Sequence, residues 1–329
     1  MTHFVLRRLA GLLITLLALS VLIYLIFYVA PGDVAQRTCG MRCSPVQVEQ
    51  VAAQLHLNDP LYVRYGRFLE GILVGADYST GTSVLHCEAP CLGLSYQSDQ
   101  EVTRLLLDRV PVSASLAFGA MVLWLLIGVG TGVLSVWRRG GATERLLTGL
   151  TLAGVATPVF VLGLVLMILI CGQAELLPFP QYVHFGEDPE QWAWNLLLPW
   201  TTLALAESAT FARMTRASML ETLAEDHVRT FRAYGVPERA IVGKHALRGA
   251  LAPLIALNAN HIGALIGGAI LTESLFGIPG MGRELVHAVK VVDLPVVVGM
   301  MIAVGFAVVV ANAVADVLYA VADRRVVLS

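Results

Sequence analysis

Charge is what this chain lacks most. Asp, Glu, Lys and Arg make up 14% of its 329 residues, where a soluble domain carries about 25%. With 57% hydrophobic residues and a mean hydropathy of +0.72, the apolar surface cannot be hidden in one water-soluble core, so a bilayer is the expected solvent. A positive surplus is absent too. The formal net charge is −2, which excludes nucleic acid as a partner. There is no P-loop of the form G-x-x-x-x-G-K-[ST]. The nearest approach is Gly243-Lys244, with Glu238 where the first glycine belongs and His245 where Ser or Thr belongs. If ATP drives this chain's work, it is therefore expected to bind on another chain. Neither a His-Glu-x-x-His run nor a nucleophile–base constellation is found, which argues against an intramembrane enzyme. Long-period repeats, low-complexity tracts and clear symmetry between the halves are also missing, and this weakens an inverted-repeat secondary carrier.

What is present is a series of apolar runs. A helix needs about 20 residues to cross the hydrocarbon core, and six runs satisfy that: 9–30, 112–137, 146–171, 196–218, 253–275 and 296–321. Arg7 and Arg8 precede Leu9 to Val29, a run longer than the ~7–15 residues of a signal-peptide core. It reads as an uncleaved first span, the alternative being a signal cleaved near Ala30. A long polar segment, 31–111, separates the first two spans. A shorter one, 172–195, holds Pro178, Pro180, Pro189, Trp192 and Trp194, the tryptophans suiting an interfacial belt. Fourteen of the 22 basic residues fall at the N-terminus, after span two, in 213–248 and at Arg324-Arg325, while 172–195 has none. The positive-inside bias then places both termini and 219–253 in the cytoplasm and 31–111 outside it. The expected fold is an all-α polytopic membrane protein: 1–30 a short N-terminus and first span, 31–111 an extracytoplasmic segment, and 112–329 a core of five spans.

Within that core, 219–253 is the longest polar interruption. Leu220, Leu223, Ala224, His227, Val228, Phe231 and Tyr234 recur at steps of three and four, one stripe of a helix. Gly235 stands where a helix C-terminus wants positive φ. Pro237 and Glu238 suit the first turn of a second helix. Helix, glycine turn and helix would leave a partly apolar face for a docking partner.

Ionisable and amide groups inside spans are costly in lipid and usually face the bundle interior. Glu207, Asn258 and His261 are candidates for a path taken by a charged, amide-rich solute, with interhelical hydrogen bonding as the other reading. Glu273 and Asp316 lie near span ends and read as structural. Gly128, Gly130, Gly132, Gly149, Gly154 and Gly263-x3-Gly267-Gly268 suit close helix packing. Cys39-x3-Cys43 and Cys87-x3-Cys91 lie in the segment placed outside the cytoplasm, where disulfides form. Four cysteines allow three pairings, and a four-thiolate zinc site has compatible spacing. Cys171 reads as a small packing residue.

Several stretches together resemble one family. Glu225-Asp-His-Val-Arg-Thr-Phe-Arg-Ala-Tyr-Gly235, followed by Lys244-His-Ala-Leu-Arg-Gly-Ala-Leu-Ala-Pro253, is similar to the coupling loop of ABC-importer permeases, in the version of the peptide, opine and nickel uptake branch. Pro31-Gly32-Asp33, Leu57-Asn-Asp-Pro60, Gly75-Ala-Asp-Tyr-Ser-Thr-Gly81 and the tail Ala313 to Arg325 follow that family in order. Thr272-Glu-Ser-Leu-Phe-Gly-Ile-Pro-Gly-Met-Gly-Arg283 resembles its "E-x-x-F-x-x-P-G-x-G" segment, with Glu273, Phe276, Pro279, Gly280 and Gly282 in place. There are two departures. Leu85 to Gln100 looks like an insert, and Arg229, Thr230 and Phe231 replace the Glu-Ala-Ala of the general coupling motif.

The resemblance implies a type I ABC-importer permease in a bacterial inner membrane, moving di- or oligopeptides, with nickel- or glutathione-type import as a related alternative. It implies a second similar permease, two ATP-binding subunits carrying ATP and Mg, and an extracytoplasmic substrate-binding protein as partners. This chain would hold no cofactor or metal and do no bond chemistry. Glu225, Asp226, Val228, Arg229, Phe231, Arg232, Ala233 and Gly235 would meet the ATPase, and the 273–282 segment would dip at the outer mouth. A self-sufficient proton-coupled carrier built on Glu207 and His261 is the alternative from another class.

Overall fold

The computed structural model of the chain describes residues 2–29, 35–36, 44–54, 57–79, 84–138 and 141–322. Helix dominates. In chain order come α1 (Thr2–Val29), α2 (Pro45–Gln54), α3 (Leu61–Val74), strands β1 (Ala76–Ser79) and β2 (Val84–Cys87), α4 (Val102–Trp137), α5 (Ala142–Ala156), α6 (Val159–Leu166), α7 (Pro189–Ala224), α8 (Asp226–Ala233), α9 (Glu238–Ala240), α10 (Leu247–Gly268), α11 (Ile270–Leu275), α12 (Met281–Val291) and α13 (Leu294–Ala322). Two wide turns of π-helix, Met167–Gln173 and Ile241–Ala246, continue α6 and join α9 to α10.

Contacts divide the chain into two compact units, residues 1–111 with 279–309 and residues 112–278 with 310–329. In the first, β1 and β2 pair antiparallel with Ala76 opposite Cys87 and Asp77 opposite His86. Gly75 ends α3 at φ +94°, and a Cβ there would lie 2.7 Å from the Cys87 carbonyl, so only glycine fits. Val102, Leu106, Met281, Val296, Val297 and Met300 form an apolar core. Tyr24 of α1 packs edge-on against Tyr65 of α3 at 5.2 Å, and Ser20 and Tyr65 share a 2.8 Å hydrogen bond.

The second unit is built around α7. Its start is well specified: Asp188 accepts from Glu190 N and Gln191 N, both at 3.0 Å, and Pro189 follows it at the first helical position. Leu116, Trp124, Leu196, Leu198, Phe211 and Met219, each at most 1% exposed, form the centre of its core. Gly128 and Gly132 of α4 sit against α7. A Cβ at either would press on Phe211 or Thr215 at 2.6 Å. Gly130 and Gly149 face open space, so only part of the expected glycine packing is used. The Gly263–Gly268 group falls where surroundings are not described.

Among the described residues, three helical stretches are long and apolar enough to cross a membrane: Val102–Trp137, Glu238–Ile262 and Leu294–Val314. Gly11–Ile26 and Val159–Gln173 are shorter apolar helices. The helix of the second run starts ten residues before the sequence suggests, carrying Pro111 inside it. The third run is not one helix. Pro158 is extended at ψ 134° and starts α6 afresh, because proline cannot continue the α5 ladder. The fifth is cut at Ala269.

Candidate functional site

The polar stretch 219–253 folds as an elbow. The expected single stripe from Leu220 to Tyr234 does not lie on one helix. Glu225 is extended at φ −69°, ψ 152°, so Leu220 and Leu223 belong to the end of α7, packed on the core, and the rest belongs to α8. No Gly or Pro marks that break. Val228 is fully buried while Tyr234 is 83% exposed. Gly235 takes φ +75°, the left-handed conformation expected of it. Pro237 caps the next helix from just outside rather than entering its first turn.

Side chains brace the elbow across its turn. Arg232 Nε donates to Glu238 Oε1 at 2.6 Å, joining α8 to α9. The Phe231 ring lies 4.3 Å from His245 in the π-helical turn and 5.7 Å from His227. His227 Nδ1 is 3.0 Å from Glu225 Oε2. Arg229 and Asp226 approach at 3.4 Å, almost fully exposed, and such a pair contributes little. Of the eight residues the sequence assigns to coupling, Val228 is core and Phe231 half-buried, while Glu225, Asp226, Arg229, Arg232, Ala233 and Gly235 are exposed. Below the elbow the two arms touch closely: a Cβ on Gly249 of α10 would collide with the Thr222 hydroxyl of α7.

Glu207 and His261, 54 residues apart, come together. Glu207 Oε2 lies 2.8 Å from His261 Nδ1, one on α7 and the other on α10. Aromatic rings that sequence reasoning passed over surround them. Phe211 is 5.5 Å and Trp124 6.5 Å from the His261 ring, and Trp124 stacks on Phe211 at 5.8 Å. Asn258, the third path candidate, accepts at Oδ1 from Trp124 Nε1 at 3.0 Å. A buried Trp whose N–H needs an acceptor was the available signal.

The 273–282 segment is mostly buried. Glu273 is 1% exposed, and Ser113 Oγ donates to its Oε1 at 2.6 Å. Phe276, Gly280 and Gly282 are buried and Pro279 half-buried. The backbone turn is made by Gly277, at φ +68°. In the other unit the insert-like piece is firmly fastened. Cys87 and Cys91 form a disulfide, which selects the local pairing for that pair; Cys39 and Cys43 lie outside the described residues. Asp293, 3% exposed, accepts from Ser95 Oγ at 2.5 Å and Tyr96 N at 3.1 Å. Cys171 is buried, its Sγ 3.4 Å from the Pro178 carbonyl. Among the described residues no group of three or more His, Cys, Asp or Glu is placed to hold a metal ion.

A family model described as "binding-protein-dependent transport system inner membrane component" matches residues 114–328, and its N-terminal companion matches 1–117. The chain belongs to this permease family. A putative peptide transport system permease protein of Brucella abortus is 34% identical over 326 residues, covering 99% of both chains. The probable D,D-dipeptide transport system permease protein of Escherichia coli is 33% identical over 97% of this chain and 96% of that one. The E. coli glutathione transport system permease protein is 33% identical over 97% of each. A solved structure of the MetNI methionine ABC transporter, inward facing, matches with a TM-score of 0.53 at 16% identity, covering 68% of this chain and 98% of that one. At that identity the likeness speaks for the fold, that of a type I ABC-importer permease. As a permease the chain is a membrane transport component and catalyses no reaction of its own.

Proposed function

We propose that this permease imports peptides into a bacterial cytoplasm, driven by ATP hydrolysed on two separate subunits that grip residues 219–253. The observation that carries this is the elbow. Its exposed tip at Tyr234 and Gly235 is held to a fixed shape by Arg232–Glu238 and Phe231–His245, as a part that receives force must be. The peptide assignment draws support from relatives named for peptide, D,D-dipeptide and glutathione transport along their whole length. In this reading the chain crosses the inner membrane six times with both termini cytoplasmic. A second, similar permease completes the path. An extracytoplasmic binding protein delivers the substrate to 31–111, 172–195 and 277–295. Glu207, Asn258 and His261 line the path.

Co-purification tests the reading. ATPase chains should accompany the tagged permease, and Gly235→Pro should abolish ATP-coupled peptide uptake while membrane insertion stays normal. The Glu207–His261 contact at 2.8 Å favours a second reading, a proton-coupled carrier. Uptake that follows an imposed proton gradient without any ATPase, and is lost in Glu207→Gln, would establish the carrier instead.

A further inference from the structure

A cavity of about 270 Å³ opens between α4, α5 and α7, lined by Thr131, Ser135, Thr148, Thr151, Arg213 and Arg216. It borders Gly132, where α4 meets α7, and takes in none of the elbow or path residues. Thr131 and Thr151 direct their hydroxyls to carbonyls of their own helices. The unspent donors are elsewhere. Ser135 is 4% exposed, and its Oγ has no hydrogen-bond partner among the described residues. Arg216 is tied at one end to Glu144, yet its Nε is buried with no partner among the described residues. Arg213 is exposed, with no carboxylate in ion-pair range among the described residues. A buried hydroxyl and a buried guanidinium N–H left unmatched bear the desolvation cost of bonds not made. Glu144 offsets one of the two guanidinium charges, so the cavity keeps a net positive charge and donors without acceptors.

We propose that this cavity binds a phosphate-ester anion, and that its occupant is the headgroup of an acidic phospholipid. Guanidinium forks and a hydroxyl are the donors that tetrahedral oxyanions take. Depth favours a lipid over a soluble ester. Ser135 lies two residues before the end of α4 at Trp137, whose ring is 55% exposed, and exposed tryptophan at a helix end suits the headgroup level. Arg216 stands eight residues before the end of α7, about 12 Å along the axis. The volume is several times the ~30 Å³ share of one water molecule, room for a phosphate group.

The test is native mass spectrometry of the full-length permease in detergent. The probes are dioleoyl phosphatidylglycerol, dioleoyl phosphatidylcholine and sn-glycerol 3-phosphate. Arg213→Gln removes an exposed guanidinium that makes no ion pair among the described residues. Ser135→Leu fills the cavity from a second side, and both variants are compared as monodisperse fractions. Wild type should retain phosphatidylglycerol over phosphatidylcholine, with retention falling roughly ten-fold or more in both variants, as expected for a lost hydrogen bond to a charged group. Saturable binding of glycerol 3-phosphate alone, lost in the same variants, would keep the phosphate chemistry and overturn the lipid source. Equal retention of every probe by wild type and both variants would overturn the site. None of these outcomes depends on which solute is transported.

Discussion

Arg232 Nε and Glu238 Oε1 lie 2.6 Å apart across the turn made by Gly235. Gly235 has φ +75° and no atom within 4 Å of where a Cβ would stand, so conformation and not crowding demands glycine. An L residue there costs about 1–2 kcal/mol, most for β-branched side chains. Gly235→Val should insert and purify normally yet lose ATP-coupled uptake roughly ten-fold. Gly235→Asn, which tolerates that conformation, should retain most of it. Vesicle uptake compares them, and equal rates would detach the turn from coupling.

Helix packing gives a sharper contrast. A Cβ at Gly128 would meet Phe211 Cβ at 2.6 Å and the Ser208 carbonyl at 2.8 Å, whereas Gly130 has nothing within 4 Å. Gly128→Ala overpacks a rigid contact and should destabilise by about 1–3 kcal/mol. Gly130→Ala should be neutral or slightly stabilising, since alanine favours helix by ~0.5–1 kcal/mol. Thermal unfolding in detergent should separate the two midpoints in that order.

Asp293 is a buried carboxylate holding Ser95 and the Tyr96 amide. Asp293→Ala leaves both donors unmatched and should cost about 2–4 kcal/mol. Asp293→Asn keeps a carbonyl acceptor and should cost less. Matching losses in the two variants would mean that packing alone fixes the insert.

His86 faces Asp77 across the β1–β2 ladder, Nδ1 to Oδ1 at 2.6 Å. The Asp77 carboxylate, as hydrogen-bond partner and as charge, raises the His86 pKa above its usual 6.5. A raised folded-state value favours the fold below the unfolded pKa, and the contribution is lost as pH rises through the folded one. The side chains are 64% and 67% exposed, so salt should screen the effect. Histidine NMR titration should show a raised midpoint that returns towards 6.5 in Asp77→Asn. An unchanged midpoint in that variant would dismiss the pair.

Much of this architecture was legible locally. Gly235 announces its own backbone, and the apolar runs announce helices, because both are written within a few residues. The spacing Cys87-x3-Cys91 permitted a local bridge, and that bridge is present. The failures are of another kind. Glu225 breaks a helix with no Gly or Pro to warn of it, since the buried Val228 and the Phe231–His245 contact fix the path of α8 instead. The apolar run from 112 marked only part of α4, which begins at Val102 and carries Pro111 inside it. Glu207 and His261 could be nominated separately for their cost in lipid, but their pairing joins positions 54 residues apart. Ser95 and Asp293, nearly 200 residues apart, gave no signal at all.

One feature of the loop reaches further than its own shape. α7 carries Glu207 and α10 carries His261, and Glu225 to Ala246 is the only covalent bridge between these arms. On the proposed reading, a push at Tyr234 has a route into one arm through the backbone at Glu225 and into the other through Arg232–Glu238 and Phe231–His245. The jaws of a pair of tongs open in proportion to the motion at the handles. On that reading the jaws are Glu207 and His261, 2.8 Å apart, with Glu207 about 26 Å along the α7 axis from the loop.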